Sequence, residues 1–190
     1  MNVYRVIQNS PEELIKKLEG IQREYHALTE HADRRAYFME KRAFFNEGGP
    51  DDVTRAALFI FFMRTCYNGI YSVNRSGKLS VTFGAGNRAK ILEEELIRVN
   101  HGLLQGVTIL EGDYHQTAKY AGEKTFFYFD PPYKPVNESG GCTSYMPDDF
   151  DDNDQIRLAE FCRDLGGCRQ QMNALQLGSV REGSDQYLLR

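Results

Sequence analysis

A chain of 190 residues, 41% hydrophobic and 26% charged, has the composition of an ordinary globular protein and the length for one domain, or for a core plus an insertion. Its net charge of −4 taken whole argues against a nucleic-acid partner, no apolar run is long enough to cross a bilayer, and the opening MNVYRVIQNSPEELIKK turns polar too soon for a signal peptide. The four cysteines, Cys66, Cys142, Cys162 and Cys168, lack the paired spacing of a zinc site or a disulfide framework, which fits a reducing cytoplasm.

The first predicted helix opens at Pro11 and runs to about Leu28, with Leu14, Leu18, Ile21, Tyr25 and Leu28 three and four residues apart. A second covers Ala32 to Phe45. After the break NEGGPDD (46–52), a third runs from Val53 to about Cys66; it is apolar nearly all round, hence buried, and Asn68-Gly69 marks its end. Two short alternating runs then flank Asn74-Arg75-Ser76-Gly77, the pattern of a β-hairpin with Arg75 and Lys78 at its tip.

Residues 89–100 read as a helix, GVTILEGDY (106–114) as a strand ending in an acid, and EKTFFYFD (123–130) as a second, fully apolar strand. Strands buried on both faces belong to parallel sheets covered by helices, so the expected fold is α/β. The five aspartates between Asp148 and Asp154 read as a solvated helix start, with Ile156, Leu158, Phe161 and Leu165 carrying that helix onward. Residues 168–190 are polar and lack the further core strand that such a sheet calls for. His26, His31, His101 and His115 form no cluster, and no metal site is expected.

Charge is segregated along the chain. Between Val53 and Leu92 there is no acid, while Arg55, Arg64, Arg75, Lys78, Arg88 and Lys90 supply six positive charges, leaving 17 basic against 27 acidic residues elsewhere. A basic element on an acidic body suits a polyanion docked on one side; by charge alone, a solvated loop suits the pattern equally well.

The most informative stretch is TFFYFDPPYKP (125–135). In an open parallel sheet, ligands gather beyond the carboxyl ends of the strands, where Asp130 falls. A carboxylate followed by Pro131 and Pro132 makes a rigid turn that offers oxygen acceptors without competing N–H donors, suited to a planar amino group. Tyr133 adds a face on which a flat heterocycle can stack. Acceptors on both hydrogens of an exocyclic amine aim its lone pair at an electrophile, so methyl transfer from a sulfonium is the natural chemistry. An ordinary proline turn after a strand is the plainer alternative. The acid-ended strand of a P-loop nucleotidase is another, but FGAGNRAK (83–90) is not the phosphate loop that it needs.

The DPPY run and its aromatic lead resemble the catalytic motif of DNA adenine methyltransferases of the Dam type. YFMEKRAFFN (37–46), TCYNGIYSVNRSGKLSVTFG (65–84), GDY (112–114), TSYMPDDF (143–150) and DQIRLAEF (154–161) extend the likeness over roughly residues 1–167. The resemblance implies an incomplete Rossmann-like S-adenosylmethionine methyltransferase sheet with an inserted helical and β-hairpin DNA-recognition subdomain. Its parts would be 1–45, helical; 46–106, target recognition; 107–167, the catalytic α/β core; and 168–190, an atypical tail, as if from a shifted reading frame.

The same resemblance implies that Asp130 and the Pro131 carbonyl hold the target adenine's amino group, with Pro132 stiffening the turn and Tyr133 stacking on the flipped base. It implies that Asp113 and Tyr114 line the cofactor's adenine pocket. Target recognition falls to Tyr67, Asn68 and the hairpin Ile70 to Phe83, including Ser72 and Asn74, with Arg75 and Lys78 near phosphates. The implied partner is double-stranded DNA, with a cognate restriction endonuclease left open. Ser72 stands where the family pattern has a base-contacting arginine, and Ser80-Val81-Thr82 replaces its Asn-Val-Pro. The glycine-rich cofactor loop expected near the start has no match, so the expectation is a fragment of a methyltransferase, or a non-catalytic DNA-binding remnant of one.

Overall fold

The computed structural model describes residues 2–48, 50–84, 89–131 and 151–165. The chain packs as two compact units, Met1–Glu111 and Gly112–Arg190, and each is taken by itself.

The first unit holds α1 (Asn2–Asn9), α2 (Pro11–Ala27), α3 (His31–Asn46), α4 (Asp52–Thr65) and α5 (Glu94–Leu104). Helices α2, α3 and α4 fall within one or two residues of their predicted bounds, because each combines a clean apolar period with a start or stop signal. Helix α1 is absent from the sequence-based expectations, although Val3, Val6 and Ile7 carry helical spacing and pack on the core. Helix α4 is the centre: it packs against α1, α2 and α3, while α5 closes over α1 and α2. Phe61 of α4 is fully buried and meets the rings of Tyr25, Tyr37, Phe38 and Phe62 at centroid distances of 5.3–6.0 Å. Among the described residues, no helix is long and apolar enough to cross a membrane.

Helix α4 starts on a cap that the NEGGPDD break does not disclose. Asp51 Oδ1 accepts from the Thr54 N–H at 2.8 Å, and Oδ2 from the Thr54 hydroxyl at 2.7 Å. These bonds, the backbone one first, hold the Asp51 carboxyl below the usual carboxylate range. A carboxyl depressed by folding contributes stability above its unfolded pKa of about 3.9 and loses it as pH falls through the folded value. Asp51→Ala is therefore expected to cost about 1 kcal/mol near pH 7. The difference in melting temperature between this variant and wild type should shrink as pH drops below about 4; a constant difference across that range would refute the cap.

The predicted hairpin is present as an antiparallel pairing. Val73 pairs with Leu79, and Cys66 with Phe83; the Ser80 N–H donates to Ser72 O, and the Tyr67 N–H to Thr82 O. Between the last two pairs one strand advances five residues and the other two, so three extra residues bulge out. They form the 3-10 turn Tyr67–Gly69, in which Asn68 (φ 54) and Gly69 (φ 66) take left-handed backbone. At the tip, Asn74 Oδ1 accepts from the N–H groups of Ser76 and Lys78 and from the Ser76 hydroxyl.

Two residues lock the hairpin onto the helices. Asn46, ending α3, donates through Nδ2 to Leu79 O (3.0 Å) and accepts through Oδ1 from the Leu79 N–H (2.9 Å), imitating a neighbouring strand. Gly84 lies so close to the end of α4 that an added Cβ would sit 2.9 Å from Cys66 O. Asn46→Ala would orphan both Leu79 groups and is expected to destabilise the first unit by about 1–3 kcal/mol, read as a lowered urea midpoint.

The second unit departs from expectation. Among its described residues there is a 3-10 helix (Tyr114–Tyr120) and α6 (Asp152–Asp164) but no strand ladder, and 106–114 likewise forms no strand. Residues 125–131 alternate instead of being buried on both faces: Phe126, Tyr128 and Asp130 are exposed, while Thr125, Phe127, Phe129 and Pro131 are half-buried. A wholly aromatic run hides this period of two, because every position looks apolar. Helix α6 begins as expected from the aspartates, with a capping box between Asp151 and Asp154.

Candidate nucleic-acid interface and catalytic carboxylate

The bulge is the most conspicuous surface of the first unit. Tyr67 and Ile70 are 62% and 49% exposed, and Asn68 stands between them on left-handed backbone. Large side chains held in water by a fixed turn are poor economy for folding and good geometry for contact. Arg75 and Lys78 lie at the opposite end of the ribbon, exposed and without an ion pair among the described residues. From Ile70 to Arg75 is about 16 Å of extended chain at about 3.3 Å per residue. The hairpin thus carries shape and hydrogen bonding at its base and charge at its tip. Ser72 is half-buried within the ladder. The Asn74 carbonyl is consumed by the turn, leaving only its amide hydrogens to face a ligand.

The acid-free segment divides in three dimensions. Arg64 and Lys90 both pair with Glu93, at 3.1 and 3.0 Å, the first acid beyond the run. Arg55 stacks on Phe45, and Arg88 lies outside the described residues. Among the described residues of the segment, Arg75, Lys78 and Arg55 are the cations without an ion pair.

In the second unit, Asp130 shares one face of the aromatic stretch with Phe126 and Tyr128, pointing away from the half-buried Phe129. Phe129 packs edge-on to Phe161 of α6 (6.0 Å) and Tyr114 (6.5 Å), which fixes the orientation of the stretch up to the carboxylate. Asp130 forms no ion pair or side-chain hydrogen bond among the described residues. Pro131 is half-buried; Pro132 and Tyr133 lie outside the described residues.

Asp113 and Tyr114 come together with two residues that sequence reasoning passed over, His115 and Arg157. Asp113 Oδ1 accepts from the His115 backbone N–H (2.8 Å) and lies 2.6 Å from His115 Nδ1, which carries the proton there because a carboxylate has none to give. Arg157 Nη2 sits 3.1 Å from Oδ2. The His115 backbone bond first, then its ring, then Arg157 hold the Asp113 carboxyl below the usual range. His115 stacks on Tyr114 at 4.5 Å and the Arg157 guanidinium lies 5.4 Å from the same ring. The Tyr114 hydroxyl is buried without a hydrogen-bond partner among the described residues, although Arg157 packs beside it. An Asp-Tyr-His triplet followed by an arginine on the next predicted helix is too common a pattern to have flagged this cluster.

The sequence matches the family model for D12 class N6 adenine-specific DNA methyltransferases over residues 1–182, and the chain belongs to that family. It is 40% identical over 166 residues to the Type II methyltransferase M.MjaIII of Methanocaldococcus jannaschii, covering 87% of this chain and 57% of that protein. It is 33% identical over 170 residues to the Type II methyltransferase M1.LlaDCHI of Lactococcus lactis subsp. cremoris, with the same coverages. To a DNA adenine methylase of Vibrio cholerae the identity is 26% over 160 residues, covering 84% and 55%. The chain spans little more than half the length of these relatives.

Proposed function

We propose that the protein is a site-specific DNA adenine methyltransferase that moves a methyl group from S-adenosylmethionine to the exocyclic amine of an adenine flipped out of duplex DNA. The observation that carries this reading is Asp130: an exposed carboxylate, uncommitted within the described residues, at the end of an oriented aromatic stretch in a chain of this family. With it goes a class I methyltransferase fold, in which 46–106 is the target-recognition part.

When bound, S-adenosylmethionine supplies an electrophilic methyl group on sulfur. Asp130 accepts one hydrogen of the adenine amino group and the Pro131 carbonyl the other, drawing density onto nitrogen and aiming its lone pair. Tyr133 stacks on the extruded base, and Pro132 keeps the turn from collapsing. For the cofactor's adenine, Asp113 fits at the acceptor end, since Oδ2 retains a lone pair beside Arg157. The Tyr114 ring is covered by His115, so that adenine is held by its edge at Asp113 in this arrangement. Tyr67, Asn68 and Ile70 meet bases, and Arg75 and Lys78 phosphates, with the two-stranded ribbon entering the major groove, which is wide enough to admit one. Ser72 brings no guanidinium to a base, so the bidentate arginine contact of the family pattern is not part of its base reading. A cytoplasmic location fits this reading, which leaves a cognate restriction endonuclease open.

The test is transfer of labelled methyl groups to duplex DNA with N6-methyladenine as product, beside direct binding of S-adenosylmethionine. Salt-dependent DNA binding without cofactor binding or transfer would replace the reading with that of a DNA-binding remnant. Asn68→Gly keeps the left-handed turn and removes the side chain; it is expected to leave the unfolding free energy within about 0.5 kcal/mol of wild type while weakening binding to the recognised sequence. Unchanged discrimination between duplexes would remove Asn68 from recognition.

A further inference from the structure

The first unit contains a cleft of about 950 Å³ bounded by α1, the end of α3, the start of α4 and the hairpin up to its tip. This is at the upper end of the roughly 300–1,000 Å³ of small-molecule sites. Aromatic walls come from Tyr4, Phe45, Phe59 and Tyr71, and two cations, Arg55 and Lys78, open into it. A third, Arg5, is neutralised by Glu111 at 3.1 Å. Asp52 is the remaining acid, so the cleft keeps a positive balance.

Arg55 is the unusual member. It is half-buried, its guanidinium carbon lies 4.5 Å from the centroid of Phe45, and its side chain makes no hydrogen bond or ion pair among the described residues. Stacking occupies the flat face of a guanidinium and spends none of its N–H groups, which radiate in the plane of the group. The ring therefore holds the fork in place while its donors stay available, the arrangement that suits bidentate capture of a phosphate.

We propose that this cleft seats a phosphodiester of the bound DNA strand, with Arg55 as its anchor and Lys78 as the second cation. The proposal rests on the DNA-binding reading above and deepens it: one DNA strand leaves the hairpin tip and crosses the cleft over the α4 start. Phe45 positions Arg55, and Tyr71, whose ring lies 5.7 Å from that of Phe59, forms the wall against the sugar.

The experiment is a salt titration of binding to a short labelled duplex, selected from a random-sequence pool for binding to wild type, with wild type, Arg55→Gln and Arg55→Lys. Each phosphate contact contributes about 0.9 to the slope of log K against log salt. Arg55→Gln is expected to lower the slope by about that amount, whereas Arg55→Lys keeps the slope and binds more weakly. A scan replacing single phosphates with neutral methylphosphonates should find one position that weakens wild type and no longer matters to Arg55→Gln. An unchanged slope with an unchanged scan overturns the proposal. If Arg55→Gln does not fold, Arg55→Lys decides: wild-type affinity and a wild-type scan overturn it, and a loss focused at one phosphate supports it. Absence of salt-dependent duplex binding by wild type would instead overturn the DNA reading itself.

Discussion

Asp130→Ala is expected to abolish methyl transfer, lowering the single-turnover rate by at least the roughly 10²–10³-fold that follows loss of one preorganised electrostatic contact, while duplex affinity stays at the wild-type level. The asymmetry comes from where the carboxylate acts. In the proposed mechanism it touches the amino nitrogen during bond formation, when the nitrogen sheds density and its hydrogens become more acidic, so the interaction is stronger in the transition state than before it. In the same proposal duplex affinity comes from phosphates and base edges, to which Asp130 is not assigned. Asp130→Asn is the sharper variant. Its size is conserved and one oxygen acceptor remains, but the amide can present an N–H to an amine that needs acceptors, so a rate between those of wild type and alanine is expected. The measurement is pre-steady-state transfer at saturating DNA and cofactor, paired with anisotropy binding. Equal losses of rate and affinity in Asp130→Ala would mean that the residue supports the DNA interface and not the reacting nitrogen.

What the sequence disclosed and concealed follows from the range of the interactions concerned. Helices α2, α3 and α4 were legible because a helix is written in neighbours three and four apart, and the hairpin because its turn chemistry is local. Asn46 and Gly84 gave no such signal: Asn46 acts as a surrogate strand for Leu79 across 33 positions, and Gly84 is needed only because the end of α4 comes close. The acid-free segment pointed to a basic element, yet it stopped one residue short of Glu93, which neutralises two of its six cations. The aromatic stretch misled in another way. Composition alone gave it two buried faces, whereas Phe126 and Tyr128 are 58% and 59% exposed, because burial depends on neighbouring strands that a run of rings does not itself encode. The placement of Asp130 at its exposed end was legible, since a charge after four aromatic residues has few comfortable places inside a core.

Phe61→Ala carries the largest expected effect on stability, a loss of about 3–5 kcal/mol from the transfer and cavity costs of removing a buried ring. Phe61 is fully buried on the helix against which three others pack, and four aromatic neighbours meet it from different sides. They cannot all move inward, since Tyr37 is tied through its hydroxyl to Glu24 Oε2 at 2.7 Å and Phe38 is itself engaged with Phe62 and Phe83. The cavity therefore stays open, which places the cost toward the upper part of the range. Against a typical total of about 5–15 kcal/mol, such a loss populates unfolded chains near physiological temperature. The matching exposed substitution, Phe126→Ala, is expected to fall within about 0.5 kcal/mol of wild type. Urea denaturation of the full chain followed by far-ultraviolet dichroism separates the two, and coincident midpoints for Phe61→Ala and wild type would overturn the placement of the core. Because the hairpin is held to α3 by Asn46 and to α4 at Gly84, DNA affinity in Phe61→Ala should fall in proportion to the unfolded fraction and recover on cooling, whereas substitution of Tyr67, the proposed base contact, should lower affinity at every temperature.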